Sequence, residues 1–252
     1  MTLRTARARA TRGRRSPVTE PGTARARALA ARIDHTLLRP EATTDDIRRL
    51  CGEARDFRPH AVCVGSSMVA VAAAELAGTG IVVASVIGFP TGAHRRDVKA
   101  SEAAAAVSDG ATELDMVIDL GAAAAGDWTT VAREIAAVRS AAGAPVTLKV
   151  IIEAGLWTDE DIARACRAAE EAGADFVKTS TGFHPTGGAT VEDIRVMAAT
   201  VGPRLGVKAS GGITTAEQAL RLLGAGATRL GLSRSVAILA ELETGDPVRE
   251  IS

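Results

Sequence analysis

The sequence predicts one (β/α)8 TIM barrel behind a disordered, basic N-terminal tail, with the tail at residues 1–27 and the barrel at 28–252. Short apolar runs alternate with helical segments, and the pattern repeats eight times in units of roughly thirty residues. The runs are almost continuously apolar, as expected for parallel strands covered on both faces. The 252 residues, 46% of them hydrophobic, are enough for one domain with a large core.

The tail differs from the rest of the chain in charge and pattern. It holds eight arginines against a single acid, Glu20, and Pro17, Pro21 and Gly22 interrupt any amphipathic helix. We therefore expect a solvated, disordered segment. A basic arm for nucleic acid and an organelle-targeting segment are the alternatives.

The predicted strands follow the apolar runs in order. They cover 33–38, 61–64, 81–89, 113–118, 146–152, 174–182, 205–212 and 229–233. Glycines stand just before several of them, as at Gly110, Gly143 and Gly173, where a helix C-terminus favours glycine.

The predicted helices fill the intervals, and several begin at a capping residue. They cover 43–57, 67–77, 95–108, 129–141, 158–172, 190–200, 214–223 and 235–242. Thr43 or Thr44 caps the first, Thr158 with three following acids the fifth, and Thr214 the seventh. A doubly wound open sheet is the alternative, but it would not require eight units and lacks a glycine-rich turn after its first strand.

The amino-acid composition argues against several classes of function. Aromatic residues make up 2% of the chain and tyrosine is absent, which argues against a surface that stacks nucleic-acid bases. We therefore expect no nucleic-acid partner. No apolar run reaches the length of a membrane span, so we expect no membrane partner either. Cys51, Cys63 and Cys166 lack metal-site spacing, which argues against a structural zinc site, and we expect reduced thiols in a cytoplasmic protein.

Two strands each place a lysine within an apolar run. Lys178 lies in ADFVKTSTG and Lys208 in LGVKASGG. A buried lysine is costly unless it is paired or used, and two neighbouring buried ammonium groups lower at least one pKa toward neutrality. A neutral amine attacks carbonyls to form a Schiff base. The alternative is that each lysine extends to the strand end and pairs with a carboxylate.

Chemistry in this fold is located at the carboxyl ends of the strands. The polar residues within or ending the strands are Asp34, Thr36, Cys63, Asp115, Asp119, Lys149, Glu153, Lys178, Ser180, Thr181, Lys208 and Ser210. We interpret Lys149 and Glu153 as a further lysine–glutamate pair in the same cavity. A layered salt-bridge core explains that pair well and explains the two strand lysines less well.

A phosphate site is predicted after the last two strands. Ser210, Gly211 and Gly212 lead into one helix, and residues 231–235 (GLSRS) lead into the next. Helix N-termini bind anions through backbone N–H groups, and these two loops are the usual phosphate position in the fold.

Five segments together resemble the deoxyribose-phosphate aldolase family of class I aldolases. They are IDHTLL at 33–38, ELDMV at 113–117, LKVIIE at 148–153, FVKTSTGF at 176–183 and VKASGG at 207–212. The resemblance spans residues 33–239. It implies a carbon–carbon lyase that reversibly joins acetaldehyde and glyceraldehyde 3-phosphate as 2-deoxyribose 5-phosphate, without a cofactor, in deoxyribose phosphate degradation.

The resemblance also implies residue roles. Lys178 would form the Schiff base, Lys208 would lower its pKa and Asp115 would transfer protons. The implied phosphate contacts are Gly182, Gly211, Gly212, Ser233 and Ser235. From their strand positions we add Asp34, Thr36, Cys63 and Lys149 as a supporting pocket. The family often has an Asn-Pro turn where residues 64–68 read VGSSM. A homodimer through helix faces is the further partner we expect.

Other functions remain open at this point. A transaldolase or a ketose-phosphate aldolase would share the imine but not the second lysine in VKASGG. A phosphate-binding barrel without catalysis would keep its ligand when Lys178 is replaced. A nucleic-acid adaptor would lose its affinity on removal of residues 1–27.

Overall fold

A computed structural model describes residues 23–244 and shows a closed barrel of parallel strands in sequential order, β1 to β8. The strands are β1 Ile33–Leu37, β2 Ala61–Val64, β3 Val82–Ile87, β4 Glu113–Val117, β5 Thr147–Ile151, β6 Phe176–Lys178, β7 Gly206–Ser210 and β8 Arg229–Leu232. The barrel closes where β1 pairs with β8, with Asp34 opposite Gly231. The predicted (β/α)8 TIM barrel is confirmed.

The helices surround the barrel. They are α1 Ala24–Ala30, α2 Thr44–Phe57, α3 Val69–Leu76, α4 Arg96–Ser108, α5 Leu120–Ala124, α6 Trp128–Ala142, α7 Asp159–Glu171, α8 Val191–Val201, α9 Ala216–Gly224 and α10 Ser235–Thr244. Single 3-10 turns at Ser66–Met68 and Ala154–Leu156 precede α3 and α7. None of the described helices combines the length and apolarity that a bilayer crossing requires.

The sequence misplaced several element ends. Strand β3 stops at Ile87 because Gly88 turns the backbone with φ +62°, and β6 covers three residues of the predicted nine. Helix α9 begins at Ala216 with Thr215 as its cap, whereas the sequence predicts Thr214. The expected caps Thr43 and Thr158 are both confirmed, since each hydroxyl accepts a backbone N–H from the first turn.

The tail boundary is also corrected. The sequence predicts residues 24–27 as part of the disordered tail, but they form the start of α1, which Thr23 caps. Ala26 and Leu29 are buried, so this short helix is held by packing and not by its arginines. Residues 1–22 lie outside the described residues.

Alternation along the strands separates two environments. On β4, Leu114 and Met116 are buried in the large apolar cluster that includes the helices, whereas Glu113 and Asp115 face the barrel interior. The interior wall of β2 and β3 is a separate small apolar cluster of Ala61, Cys63, Ala84 and Val86. The opposite wall carries the charges described below, so the barrel interior is apolar on one side and ionic on the other.

Candidate active site

Lys178 and Lys208 lie side by side in the barrel interior, because β6 and β7 pair with these two residues in register. Both ammonium groups reach Asp115 on β4: each Nζ is 2.7 Å from the same Oδ2 atom. The Lys178 side chain is 4% exposed, whereas those of Lys208 and Asp115 are 0% exposed. The two lysines therefore share one carboxylate oxygen at the barrel centre, and only Lys178 retains slight access to the mouth.

A third lysine completes the group. Lys149 on β5 donates to Oδ1 of Asp115 at 2.6 Å and lies 2.7 Å from Oε2 of Glu113. Asp34 on β1 accepts from Lys208 and lies 3.7 Å from Lys149. Lys149 and Lys208 thus each contact at least two carboxylates, whereas Lys178 contacts one that it shares.

This unequal pairing separates the two lysines electrostatically. Burial lowers the pKa of Lys178, and the nearby Lys208 cation lowers it further against the opposing charge of Asp115. Burial also disfavours charge on Lys208, but Asp115 and Asp34 outweigh it and raise the pKa of Lys208. Burial likewise disfavours charge on Lys149, but Asp115, Asp34 and Glu113 outweigh it and raise the pKa of Lys149. Lys178 is therefore the lysine of this cluster that most readily becomes a neutral amine.

Asp115 is held ionised. Burial by itself would raise its pKa, but Lys149, Lys178 and Lys208 together hold the pKa well below its ordinary value. A carboxylate in this position stabilises positive charge that develops on either neighbouring nitrogen. Asp115 also accepts a hydrogen bond directly from Lys178 at 2.7 Å, which places the carboxylate within proton-transfer distance of that amine.

The remaining predicted pocket residues lie on β1 and β2. Thr36 is half-buried and its hydroxyl donates to the Asp34 carbonyl at 2.8 Å. Cys63 is fully buried in the apolar wall, and burial raises its thiol pKa to about 11, with a smaller contribution from Asp115. Cys63 therefore serves as an apolar wall residue in this geometry.

The predicted phosphate glycines meet at the barrel mouth. Gly182 and Gly211 both have positive φ, +80° and +85°, and a Cβ on Gly211 would come within 3.2 Å of the Gly182 Cα. Gly212 follows with φ +72°. The sequence did not single out Gly188, where a Cβ would lie 2.0 Å from the Gly211 carbonyl oxygen. Close backbone approach between the β6 and β7 loops thus requires glycine on both sides.

The two predicted serines take different positions. Ser233 is exposed in the turn before α10. Ser235 is fully buried, and its hydroxyl lies 2.9 Å from His35 Nδ1 and donates to the Leu232 carbonyl. The Ser235 side chain is therefore occupied within the fold, and what this turn offers an anion is the backbone N–H groups at the start of α10.

The predicted pairing of Lys149 with Glu153 is wrong. The backbone leaves β5 and turns at Glu153, which has φ +53°. Its carboxylate accepts the backbone N–H and the hydroxyl of Thr181, at 3.2 and 2.7 Å. Glu153 thus fixes the loop after β6 and leaves Lys149 to Asp115 and Glu113.

The sequence also missed the base of the ionic cluster. Arg229 on β8 donates to Asp34 at 2.8 Å and to Glu113 at 3.1 Å, and His60 Nε2 lies 2.9 Å from the other Glu113 oxygen. Arg229 stands at the first position of its strand, where an exposed residue is the usual expectation. Within residues 23–244, no group of three or more histidine, cysteine or acidic side chains is arranged as a metal site.

A family model described as DeoC/LacD family aldolase matches residues 28–234. The chain is 59% identical to a deoxyribose-phosphate aldolase of Nocardia farcinica over 84% of this chain and 93% of that one. It is 60% identical to one from Mycolicibacterium paratuberculosis, over 84% and 95%.

A solved structure shows the same likeness. The deoxyribose phosphate aldolase of Aeropyrum pernix, described as having a unique tetrameric structure, superimposes with a TM-score of 0.80 and 36% identity. The match covers 87% of this chain and 92% of that one.

Proposed function

This chain belongs to the DeoC/LacD family of aldolases, and from that premise we propose that it reversibly cleaves 2-deoxy-D-ribose 5-phosphate to D-glyceraldehyde 3-phosphate and acetaldehyde through a Schiff base on Lys178. The observation that carries the proposal is the position of Lys178. It is the least paired of the three lysines in the barrel interior, its pKa is lowered by burial and by Lys208, and it has the slight exposure that a nucleophile needs.

Bond cleavage needs an electron sink at C1 of the open-chain sugar. The neutral Lys178 amine adds to the C1 aldehyde to form a carbinolamine, which takes up one proton and loses water to leave a protonated imine. The C3 hydroxyl then gives up its proton, the C2–C3 bond breaks, and its electron pair enters C2 to form an enamine. Glyceraldehyde 3-phosphate leaves; protonation of C2 and hydrolysis of the imine release acetaldehyde and restore Lys178.

Asp115 and Lys208 assist these proton movements. The Asp115 carboxylate lies 2.7 Å from Lys178 Nζ, so it stabilises the iminium charge and takes up the C3 hydroxyl proton, directly or through a water. Its lowered pKa means that it holds this proton only briefly. Lys208 lies on the same oxygen, keeps Lys178 partly neutral and supports the relay.

The phosphate binds at the mouth where the loops after β6, β7 and β8 begin. Gly182, Gly211 and Gly212 present backbone without side chains in the way, and Ser233 and the first turn of α10 add donors. Ser235 orients that turn through His35. Helix N-termini favour a dianion, which fits a sugar phosphate better than an uncharged sugar.

The test is borohydride trapping with acetaldehyde, followed by intact mass and peptide mapping. Reduction of the imine adds one ethyl group at Lys178, and Lys178→Ala loses both the label and the cleavage of 2-deoxyribose 5-phosphate. Lys99→Met is a matched control, since Lys99 is also fully buried but pairs with Glu134. A label on another lysine, or neither label nor cleavage in the unaltered protein, contradicts the proposal.

Two coarser expectations belong with this function. The unpaired, buried thiols of Cys51, Cys63 and Cys166 support a cytoplasmic location. Self-association as a homodimer stays a prediction, and light scattering on the purified chain measures it.

A further inference from the structure

Below the reactive lysine, the barrel interior contains a second layer of charge that the proposed mechanism does not use. Arg229 and Glu113 form its centre, 3.1 Å apart and both at least nine-tenths buried. His60 also contacts this layer, because its Nε2 lies 2.9 Å from Glu113 Oε1. The Arg229 guanidinium lies 5.3 Å from the centre of the Phe176 ring. We call Glu113, Arg229 and His60 the lower layer.

The lower layer is joined to Lys178 by continuous contacts. Glu113 lies 2.7 Å from Lys149, Lys149 lies 2.6 Å from Asp115, and Asp115 lies 2.7 Å from Lys178. A second route runs from Arg229 through Asp34 to Lys208. Screening by solvent is small along both routes, because every side chain in them is nearly or fully buried.

The charges in this network do not balance. Among the described residues it contains four cations, Lys149, Lys178, Lys208 and Arg229, and three carboxylates, Asp34, Glu113 and Asp115. Every cation except Lys178 contacts two or more of these carboxylates. Lys178 is therefore the surplus cation, and its charge is the one that the network releases at least cost.

We propose that Glu113 and Arg229 are positioning residues that set how readily Lys178 gives up its proton, through the charge balance of the barrel interior. This inference rests on the proposed Schiff-base function. Removing the Glu113 charge leaves two surplus cations and favours the neutral amine. Removing the Arg229 charge leaves equal numbers and favours the ammonium form. The two changes therefore act on Lys178 with opposite sign, although the residues are neighbours.

Other ionisable groups also face these residues. Asp115, Lys208, Lys149 and Cys63 surround Lys178, and they are unchanged in the variants proposed here. The half-exposed His60 faces Glu113 and is equally present in each protein. A difference between variants therefore reports the single charge that was removed.

The experiment measures the rate at which acetaldehyde and cyanoborohydride label Lys178 between pH 5.5 and 10. The rate rises with pH as the amine becomes neutral, and the midpoint of this rise reports on Lys178. With Glu113→Gln we expect the midpoint to move down, and with Arg229→Met to move up, each by about half to one pH unit for a unit charge at an effective dielectric constant near 20. Arg229→Met keeps the apolar stem of the side chain.

Three controls separate this role from a structural one. Glu113→Asp and Arg229→Lys keep the charge, so the midpoint stays while the melting temperature falls. Glu170→Gln removes an acid from an exposed pair with Arg204 and leaves the midpoint in place. A structural role would slow labelling in both charge-removing variants without shifting their midpoints in opposite directions.

Each outcome decides the question. Midpoints that do not move, or that move in the same direction while Lys178 is still labelled, overturn the inference and leave the proposed function intact. No label in the unaltered protein overturns the proposed function instead. If one single variant does not fold, the direction of the other decides: a downward shift for Glu113→Gln or an upward shift for Arg229→Met agrees with the inference, and no shift or the opposite shift contradicts it.

Discussion

Replacing Lys178 with methionine should stabilise the fold while it abolishes activity. The Lys178 ammonium group has one carboxylate oxygen, on Asp115, and shares it with Lys208. Burial lowers its pKa below the ordinary value of 10.5, so the folded state holds this charge at a cost that the unfolded chain does not have. Methionine has a similar length, no charge and a flexible side chain that adapts to the space.

The expected magnitude follows from how buried ionic groups behave. Replacing them with apolar side chains of similar volume is neutral or stabilising by about 1–4 kcal/mol. In Lys178→Met, Asp115 loses one lysine and keeps Lys149 and Lys208, so we expect the free energy of unfolding to rise by about 1–2 kcal/mol. For a domain of this size that is a rise of roughly 2–8 °C in Tm. Lys208→Met is the matched variant: it takes from Asp34 and Asp115 a cation that both contact, and we expect a loss of about 3–5 kcal/mol.

The assay is urea unfolding of the unaltered protein and both variants at several pH values. A lysine with a lowered pKa in the folded state carries its full penalty below that pKa and loses it as the pH rises toward 10.5. The advantage of Lys178→Met should therefore shrink between neutral pH and pH 10. Equal losses of stability in both lysine variants, or an advantage that grows with pH, would refute the reasoning.

Three further expectations concern other parts of the site. Gly211→Ala places a Cβ 3.0 Å from the Gly188 Cα at φ +85°, so we expect KM for 2-deoxyribose 5-phosphate to rise about tenfold or more, with a smaller effect on unphosphorylated 2-deoxyribose in the same steady-state assay. Ser235→Ala removes the partner of His35 Nδ1 and should lower the free energy of unfolding by about 1–3 kcal/mol, measured with urea. Cys63, with a pKa raised to about 11, should resist iodoacetamide at pH 8 until the protein is unfolded, as mass spectrometry will detect.

Much of the fold could be predicted because its signals are local. Eight apolar runs, threonine caps and pre-strand glycines are sequence features, and each run became a strand. The failures depend on tertiary contacts. Helix α1 is held by buried Ala26 and Leu29 in a stretch whose arginines and prolines favour disorder, and α5 is a five-residue helix that Asp119 caps. Strand β6 is short because ladder pairing, not composition, decides where a strand ends.

The two strand lysines could be singled out from the sequence for an energetic reason. A lysine within an apolar strand has few explanations, so Lys178 and Lys208 stand out in the sequence. Arg229 does not, because a charged residue at the first position of a strand is usually exposed. Glycines make the interior arrangement possible: a Cβ on Gly206 would overlap the Phe176 ring, 2.1 Å from Cε1, and one on Gly231 would lie 3.2 Å from Lys208 Cε. These glycines are required by contacts with neighbouring strands, so no local sequence pattern marks them.

The structure also indicates which property of the ionic cluster distinguishes a catalytic from a structural role. A balanced set of buried charges serves stability no better than apolar packing, and each ion in it is held by its partners. The present set has one cation more than it has carboxylates, and the surplus is located on the least paired lysine, Lys178. A fold under selection for stability alone has no use for that surplus, whereas an amine that must lose its proton near neutral pH requires it. The imbalance, more than the number of buried charges, is therefore the feature on which the proposed Schiff-base role of Lys178 rests.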